Sequence, residues 1–263
     1  MMRLTALLAA LLLMLSACGG EDTQPLPDLT PVNTAAEGFN DESLRAVSFL
    51  LNVRKAEEEE SLVFTQGNAS YRTEYPVAMS GRMTQIYRGR GITADIFYKA
   101  GAYYRSDNSS KYYLVMDKEV LLSQFICGAL PTVKDSTVSS AKTAVTSLGT
   151  KYTLSVESDI KLLTSLFGET LYSSCGLKKP NRNKTGFKDT VYTYVVGEDG
   201  TFKSFKLETR VTLYETPNYY PNYQVPESSL IKEFDLSYEL TVTDTGDSVK
   251  IVTPKTEDYV FLS

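Results

Sequence analysis

From Glu233 to Val242 the chain alternates without exception: Glu233, Asp235, Ser237, Glu239 and Thr241 are polar, and Phe234, Leu236, Tyr238, Leu240 and Val242 between them are apolar. A period of two is the period of a strand, whose successive side chains point to opposite faces; wound as a helix, the same residues would have no apolar side. The stretch before it repeats the pattern. VYTYVV (191–196), the turn GEDG and TFKSFKLETRVTLY read as a hairpin that places Phe205, Leu207, Val211 and Leu213 on one face. Strands that are wet on one face and dry on the other belong to an antiparallel sheet with a single covered side. Upstream, SLVFTQGNASYRTEY, RMTQIYRG, GITADIFYKAGAYYRSD and KYYLVMD are rich in aromatic and β-branched residues and broken by turn formers, as in a meander. In one of them Ile92, Ala94, Ile96 and Tyr98 alternate with Thr93, Asp95, Phe97 and Lys99. The pattern predicts a mainly β (α+β) fold, a curved antiparallel sheet or incomplete β-barrel covered by two or three helices, with an apolar space between the layers.

Three segments carry helical spacing. Leu44, Val47, Leu50 and Leu51, behind Asn40 or Asp41 as N-cap, predict an amphipathic helix over 40–60. EVLLSQFICGALP (119–131) predicts a short helix ending near Gly128 and Pro131. SDIKLLTSLFGE predicts another that starts at Ser158 and buries Ile160, Leu163 and Phe167. A strand is expected around KYTLSVES, the polar stretch KDSTVSSAKTAVTSLGT shows no clear period, and VKIVTP reads as a short strand ended by Pro254. No internal repeat or second linker appears, so residues 40–263 are expected to form a single domain.

Composition removes most chemistry. There is no histidine, which excludes Ser-His-Asp and Cys-His catalysis, imidazole metal sites and histidine pH switching. The net charge of −5, with no Lys/Arg cluster that would grip a phosphate backbone, argues against nucleic acid as a partner. Asp95, Glu208 and Glu239 are the best carboxylates for acid–base work, but two of them sit on the expected solvent face of alternating strands, where nothing would raise a pKa or exclude water. Ser123, Ser139 and Ser165 have no base motif beside them. No catalytic residue, metal or cofactor is expected.

The first residues specify a location. One positive charge, Arg3, precedes LTALLAALLLML, an apolar run with the length and flanks of a signal peptide. It is too short to span the hydrocarbon core, which needs about 20 apolar residues. Leu15, Ser16, Ala17 and Cys18 follow, a pattern that resembles the lipobox of bacterial lipoproteins. That resemblance implies removal of residues 1–17, acylation of Cys18 and attachment to the membrane through its acyl chains. Residues 18–39, opening with GGEDTQPLPDLTPVNT, read as a flexible tether. The expected place is the bacterial cell envelope, outside the cytoplasm. Gly19 at the position after Cys18 is not the aspartate of inner-membrane retention, so the anchor is the outer face of the cell membrane or, in a double-membrane cell, the outer membrane.

In an oxidising compartment the remaining pair, Cys127 and Cys175, is expected as a disulfide; two unpaired buried thiols are the alternative. The segment YETPNYYPNYQVP places Tyr214, Tyr219, Tyr220 and Tyr223 among prolines, either a surface that binds a protein or glycan or a stiff connection between strands. Ile96, Phe205, Leu207, Leu236 and Leu240 are candidates to line a ligand cavity, or plain core.

The order of these features, with ADIFYKAGAYYRS, KYYLV, a pair of mid-chain helices and long alternating strands, is similar to that of the half-barrel lipoprotein and lipid-carrier superfamily typified by LolA and LppX. The resemblance implies an incomplete barrel wrapped around helices, a cavity for acyl chains and no catalytic residues. On it rests the expected function, an anchored lipoprotein that binds or carries a hydrophobic ligand. The alternative is a surface-displayed module that binds an envelope protein or a glycan through residues 214–226.

Overall fold

The computed structural model describes residues 26–87, 89–117, 129–175, 177, 179–216 and 230–262. It contains one open, curved sheet of twelve strands. In chain order these are β1 (Leu44–Lys55), β2 (Ser61–Arg72), β3 (Ala78–Tyr87), β4 (Arg90–Lys99), β5 (Ala102–Asp107), β6 (Lys111–Val115), β7 (Val138–Thr146), β8 (Gly149–Val156), β9 (Gly186–Val196), β10 (Phe202–Tyr214), β11 (Ile231–Thr245) and β12 (Val260–Phe261). Their spatial order is β12-β6-β5-β4-β3-β2-β1-β11-β10-β9-β8-β7. Every neighbouring pair is antiparallel except β12, which lies parallel to β6. Two meanders thus meet where the first strand pairs with β11, and the connection after β6 carries the chain to the far edge.

The alternation read from 233 to 242 is the burial pattern of β11: Phe234, Leu236, Tyr238 and Leu240 are buried, and the residues between them face outward. β10 matches it across the ladder, with Leu207 opposite Tyr238 and Val211 opposite Phe234. The wet face is laced across strands. Asp235 receives Arg210 at 3.1 Å and Arg54 at 3.6 Å, and Lys206 reaches Glu208 at 2.9 Å and Glu239 at 3.5 Å.

Two described helices cover the dry face: α1 (Thr30–Asp41) and α2 (Ile160–Ser174). α2 forms where expected, with two changes at its start: Asp159, not Ser158, is the N-cap, its side chain accepting from Leu162 N at 3.0 Å, and Ile160, expected to be buried, lies exposed in the first turn. Leu163, Phe167 and Leu171, spaced by four, are its buried stripe.

The N-terminal helix is displaced from its expected position. Residues 44–55 are not helical but form β1, a central strand paired on both sides with β2 and β11. Leu44, Val47, Leu50 and Leu51 satisfy helical spacing, but Arg45, Val47, Phe49, Leu51 and Val53 also alternate, and they are the buried set. Two ladders of backbone bonds decide between the patterns. The helix comes earlier, inside the segment expected to be tether. Pro31 opens it, and Val32, Ala35, Ala36 and Phe39 are buried against the sheet. Half of its apolar stripe is alanine, which carries little hydropathy. Two smaller corrections complete the comparison. The polar stretch without period is β7, an edge strand, and the C-terminal strand is β12 rather than VKIVTP, which has no regular structure. The helix expected over 119–131 falls mostly on 118–128, outside the described residues.

Three polar devices seat α1. Asn33 Nδ2 donates to Val133 O and Asn33 Oδ1 accepts from Val133 N, both at 2.8 Å. Asn40 clamps Leu130 in the same way, at 3.0 and 2.7 Å. Each amide thus acts as a strand partner for one residue of the extended segment beside the helix. The spacing matches: seven helical residues rise about 10.5 Å, and three extended residues span about 10 Å. Arg45, buried at the start of β1, donates from Nε to Glu42 O at 2.6 Å and from Nη2 to Asn40 O, and its guanidinium lies 4.5 Å from the centre of the Phe39 ring. A cation there satisfies carbonyls at the helix C-terminus and complements its dipole.

The amide clamps are testable. Asn33→Ala or Asn40→Ala leaves one N–H and one C=O of a partly buried segment unpaired, and each is expected to cost about 1–3 kcal/mol in urea unfolding. Amide exchange should accelerate at Val133 in the first variant and at Leu130 in the second. Unchanged midpoints and unchanged exchange would show that the clamps carry no stability.

Candidate functional site

The one continuous apolar region lies between the dry face of the sheet and the helices. Beneath α2 it is mostly aromatic. The Phe167 ring centre lies 5.7 Å from that of Tyr238, and Phe205 contacts Tyr194 at 5.0 Å, Tyr192 at 5.4 Å and Tyr238 at 6.4 Å. Edge-on and tilted packing of this kind is favoured by the ring quadrupole. The tyrosine hydroxyls find partners at the margins of the layer: Tyr194 donates to Pro131 O at 2.8 Å, and Tyr172 pairs with Thr185 at 2.7 Å. A buried polar seam enters beside the start of α2. Thr209 interrupts the apolar face of β10 and hydrogen-bonds Thr190 at 2.9 Å, which in turn pairs with Ser158. Thr190 faces inward because Lys188 and Asp189 both point outward at a bulge, Asp189 taking a φ of 55°.

Of the residues expected to line a ligand cavity, Phe205, Leu207, Leu236 and Leu240 come together on β10 and β11, and Ile96 lies apart on β4. All five are almost fully buried and belong to the packed core. A cavity of about 590 Å³ sits elsewhere, at the end of the sheet beside α1, with Phe39, Phe202 and Val242 as floor and Glu42, Asp199 and Asp244 on its rim. None of the five borders it.

The carboxylates considered for catalysis sit in ion pairs on the outer face. Asp95 is directly across from Arg82 at 3.9 Å, and Glu208 and Glu239 share Lys206. Ser165 donates to Leu162 O and Ser139 to Ser155 O, and Ser123 lies outside the described residues. Among the described residues no group of three or more Cys, Asp or Glu side chains is placed to hold a metal ion. Cys175, expected in a bridge with Cys127, is a free, buried thiol, and Cys127 lies outside the described residues. Tyr214 ends β10 with the Lys184 ammonium 5.5 Å from its ring centre, whereas Tyr219, Tyr220 and Tyr223 fall outside the described residues, as does Cys18.

Several positions that shape this region escaped the sequence analysis. Asn33 lay in the expected tether and Asn40 was read as a helix N-cap; the two sit seven apart, and that spacing was the available signal. Arg45 has none, because its burial follows only from β1 being central.

No family model and no curated protein sequence matches the chain. Among solved structures, the crystal structure of LprF from Mycobacterium bovis is similar over 85% of this chain and 95% of that one, at 9% identity and a TM-score of 0.47. The crystal structure of the LolA superfamily protein NE2245 from Nitrosomonas europaea is similar over 83% and 94%, at 9% identity and a TM-score of 0.26.

Burial also sets the pH range over which the layer holds. Loss of solvation pushes the Tyr192 hydroxyl up to about 12, helped by the Asp159 charge, and pushes the Cys175 thiol up to about 12 against a smaller opposing effect of Lys232. Both groups stay neutral in the folded chain at pH values where the unfolded chain ionises. Their contribution is therefore complete below the ordinary values of 9.0 and 10.0 and is lost as the pH climbs through about 12. The melting temperature should fall across that window, and the tyrosinate absorbance of the buried tyrosines should appear together with unfolding, after that of exposed ones such as Tyr75. A flat melting temperature from pH 9 to 12 would contradict it.

Proposed function

We propose that this chain is an extracytoplasmic lipoprotein, anchored in the cell envelope through acyl chains on Cys18, whose domain binds a hydrophobic ligand such as a lipid or acyl chain between α2 and the apolar face of the sheet. The observation that carries the proposal is the build of that layer. α2 is fixed by polar contacts near its ends, Ser158 with Thr190 and Tyr172 with Thr185, while its middle meets the sheet through Leu163, Phe167 and Leu171. An acyl chain entering there exchanges apolar contacts for apolar contacts and leaves no polar group stranded, so the cost of opening is recovered when the chain is buried. Phe205, Leu207, Leu236 and Leu240 form the floor of that site in this proposal, and Ile96 extends it under the first meander. The role is binding rather than catalysis, in keeping with a chain that holds its carboxylates in outer-face ion pairs and has no histidine.

Anchoring supplies the setting. Each buried CH₂ of an acyl chain contributes about 0.8 kcal/mol to membrane binding, so two or three chains on one cysteine hold the protein in place.

Two experiments test the two halves separately. Native mass spectrometry of the chain, gently extracted from membranes, should show a bound lipid adduct, and the delipidated chain should take up a fluorescent fatty acid in a saturable way. Empty protein with no uptake would refute ligand binding. Wild-type chain should incorporate labelled palmitate and partition into detergent, and Cys18→Ser should do neither; label retained in the variant would refute the anchor.

A further inference from the structure

The two edges of the sheet are treated differently. At one, the C-terminal residues return and cover β6: β12 pairs with it, Leu262 N donates to Tyr113 O at 2.8 Å, and Phe261 and Tyr259 pack on Tyr113 and Tyr104 at ring distances of 5.3 and 5.4 Å. The other edge, β7, pairs only with β8 in the sheet order. Alternate residues of β7 therefore turn their N–H and C=O groups outward, and among the described residues no strand receives them.

Edges of this kind are commonly protected by proline, by several charges, by bulges or by a covering segment. From Ser140 to Thr146 (SAKTAVT) β7 has no proline and no register shift, and its one charge is Lys142. Its side chains are exposed from Lys142 onward, Val145 at 88% and Leu148 in the adjoining turn at 63%. Among the described residues no side chain covers this β-branched residue at the margin of an apolar sheet face.

The sequence of the strand indicates which neighbour fits. Ala141 and Thr143 lie opposite Leu154 and Tyr152, so the odd positions of β7 continue the apolar face and the even positions continue the wet one. Two copies of β7 set antiparallel about Thr143 pair every residue of the regular stretch. Ala141 falls opposite Val145 on the apolar face, and Lys142 falls opposite Ala144 and Ser140 opposite Thr146 on the wet face. No like charges meet. Shifting the centre to Lys142 would bring two ammonium groups face to face, which is destabilising in a cross-strand pair. We infer that β7 is a self-association edge: two copies of this chain join antiparallel through β7, in a register centred on Thr143, into one continuous sheet with a single apolar face. The two-fold symmetry makes the contact isologous and closed, so association stops at the dimer. This inference stands apart from ligand binding and needs no lipid.

The register makes a charge test possible at an exposed site that contacts no core residue. Ala144→Lys places two additional ammonium groups opposite Lys142, one on each side of the axis, whereas Ala144→Glu creates two opposite-charge pairs; each new side chain also faces Lys151 of its own β8, an intrachain effect read separately from the melting temperature at concentrations where the chain is monomeric. In sedimentation velocity of the full chain in a mild detergent, the wild type should shift from monomer to dimer as concentration rises. A144K should remain monomeric across the same range, and A144E should dimerise at about tenfold lower concentration, with that advantage shrinking in high salt. Amides within residues 140–146 should gain protection from exchange in the dimer. A wild type and an A144E variant that both stay monomeric would overturn the inference. So would a dimer indifferent to both substitutions, which would place the contact elsewhere, and so would protection of β7 that appears only when a membrane extract is added, which would make the partner a foreign strand.

Discussion

A twelve-stranded sheet with one dry face sets the terms for the rest of this molecule. Apolar side chains on alternate positions of every long strand have to leave water, and no second sheet is present among the described residues to receive them. Curvature and two described helices accomplish this together. The helices can be few because the sheet bends toward them. The aromatic side chains are then concentrated where α2 lies, their rings filling the space between helix and sheet and their hydroxyls reaching its margins. The outer face follows from the same constraint. It stays in contact with water, so charged residues on adjacent strands pair across the ladder, and Asp95, Glu208 and Glu239 are held in such pairs.

Strand identity was legible wherever one face is wet and one is dry, because burial then writes itself into a period of two. β4, β10 and β11 are of this kind. The pattern misled where a strand is central and its outward side is only half exposed. In β1, Leu44 and Leu50 occupy outward positions, break the alternation and complete a helical spacing by chance. It was silent at β7, which buries almost nothing and therefore has little hydrophobic pattern to show. α1 was hidden for the opposite reason: alanine buries well beneath a curved sheet but adds too little hydropathy to distinguish a helix from a proline-rich tether.

The polar interior was less legible still. Asn33 and Asn40 act only because an extended segment about a hundred positions downstream runs alongside them, and no local rule contains that segment. Thr190 joins the apolar face because a bulge resets the phase of β9, which shifts two residues outward in succession. Arg45 is buried because the chain turns from helix to central strand within a few residues, leaving helix carbonyls that need a donor. Of the expected disulfide only one half lies among the described residues, Cys175, a free thiol there. Counting cysteines predicts a pair; burial, which disfavours the thiolate, keeps the Cys175 thiol neutral.

The central claim is that the layer between α2 and the sheet can admit an acyl chain. The chain has no tryptophan, so Phe167→Trp places a single reporter in the middle of that layer. Brominated fatty acids quench indole fluorescence on contact. If the layer binds acyl chains, a fatty acid brominated along its tail should quench the introduced indole saturably, and unbrominated fatty acid should compete the quenching away. Fluorescence that stays unchanged at saturating brominated ligand, in a variant shown by its melting curve to be folded, would contradict the account.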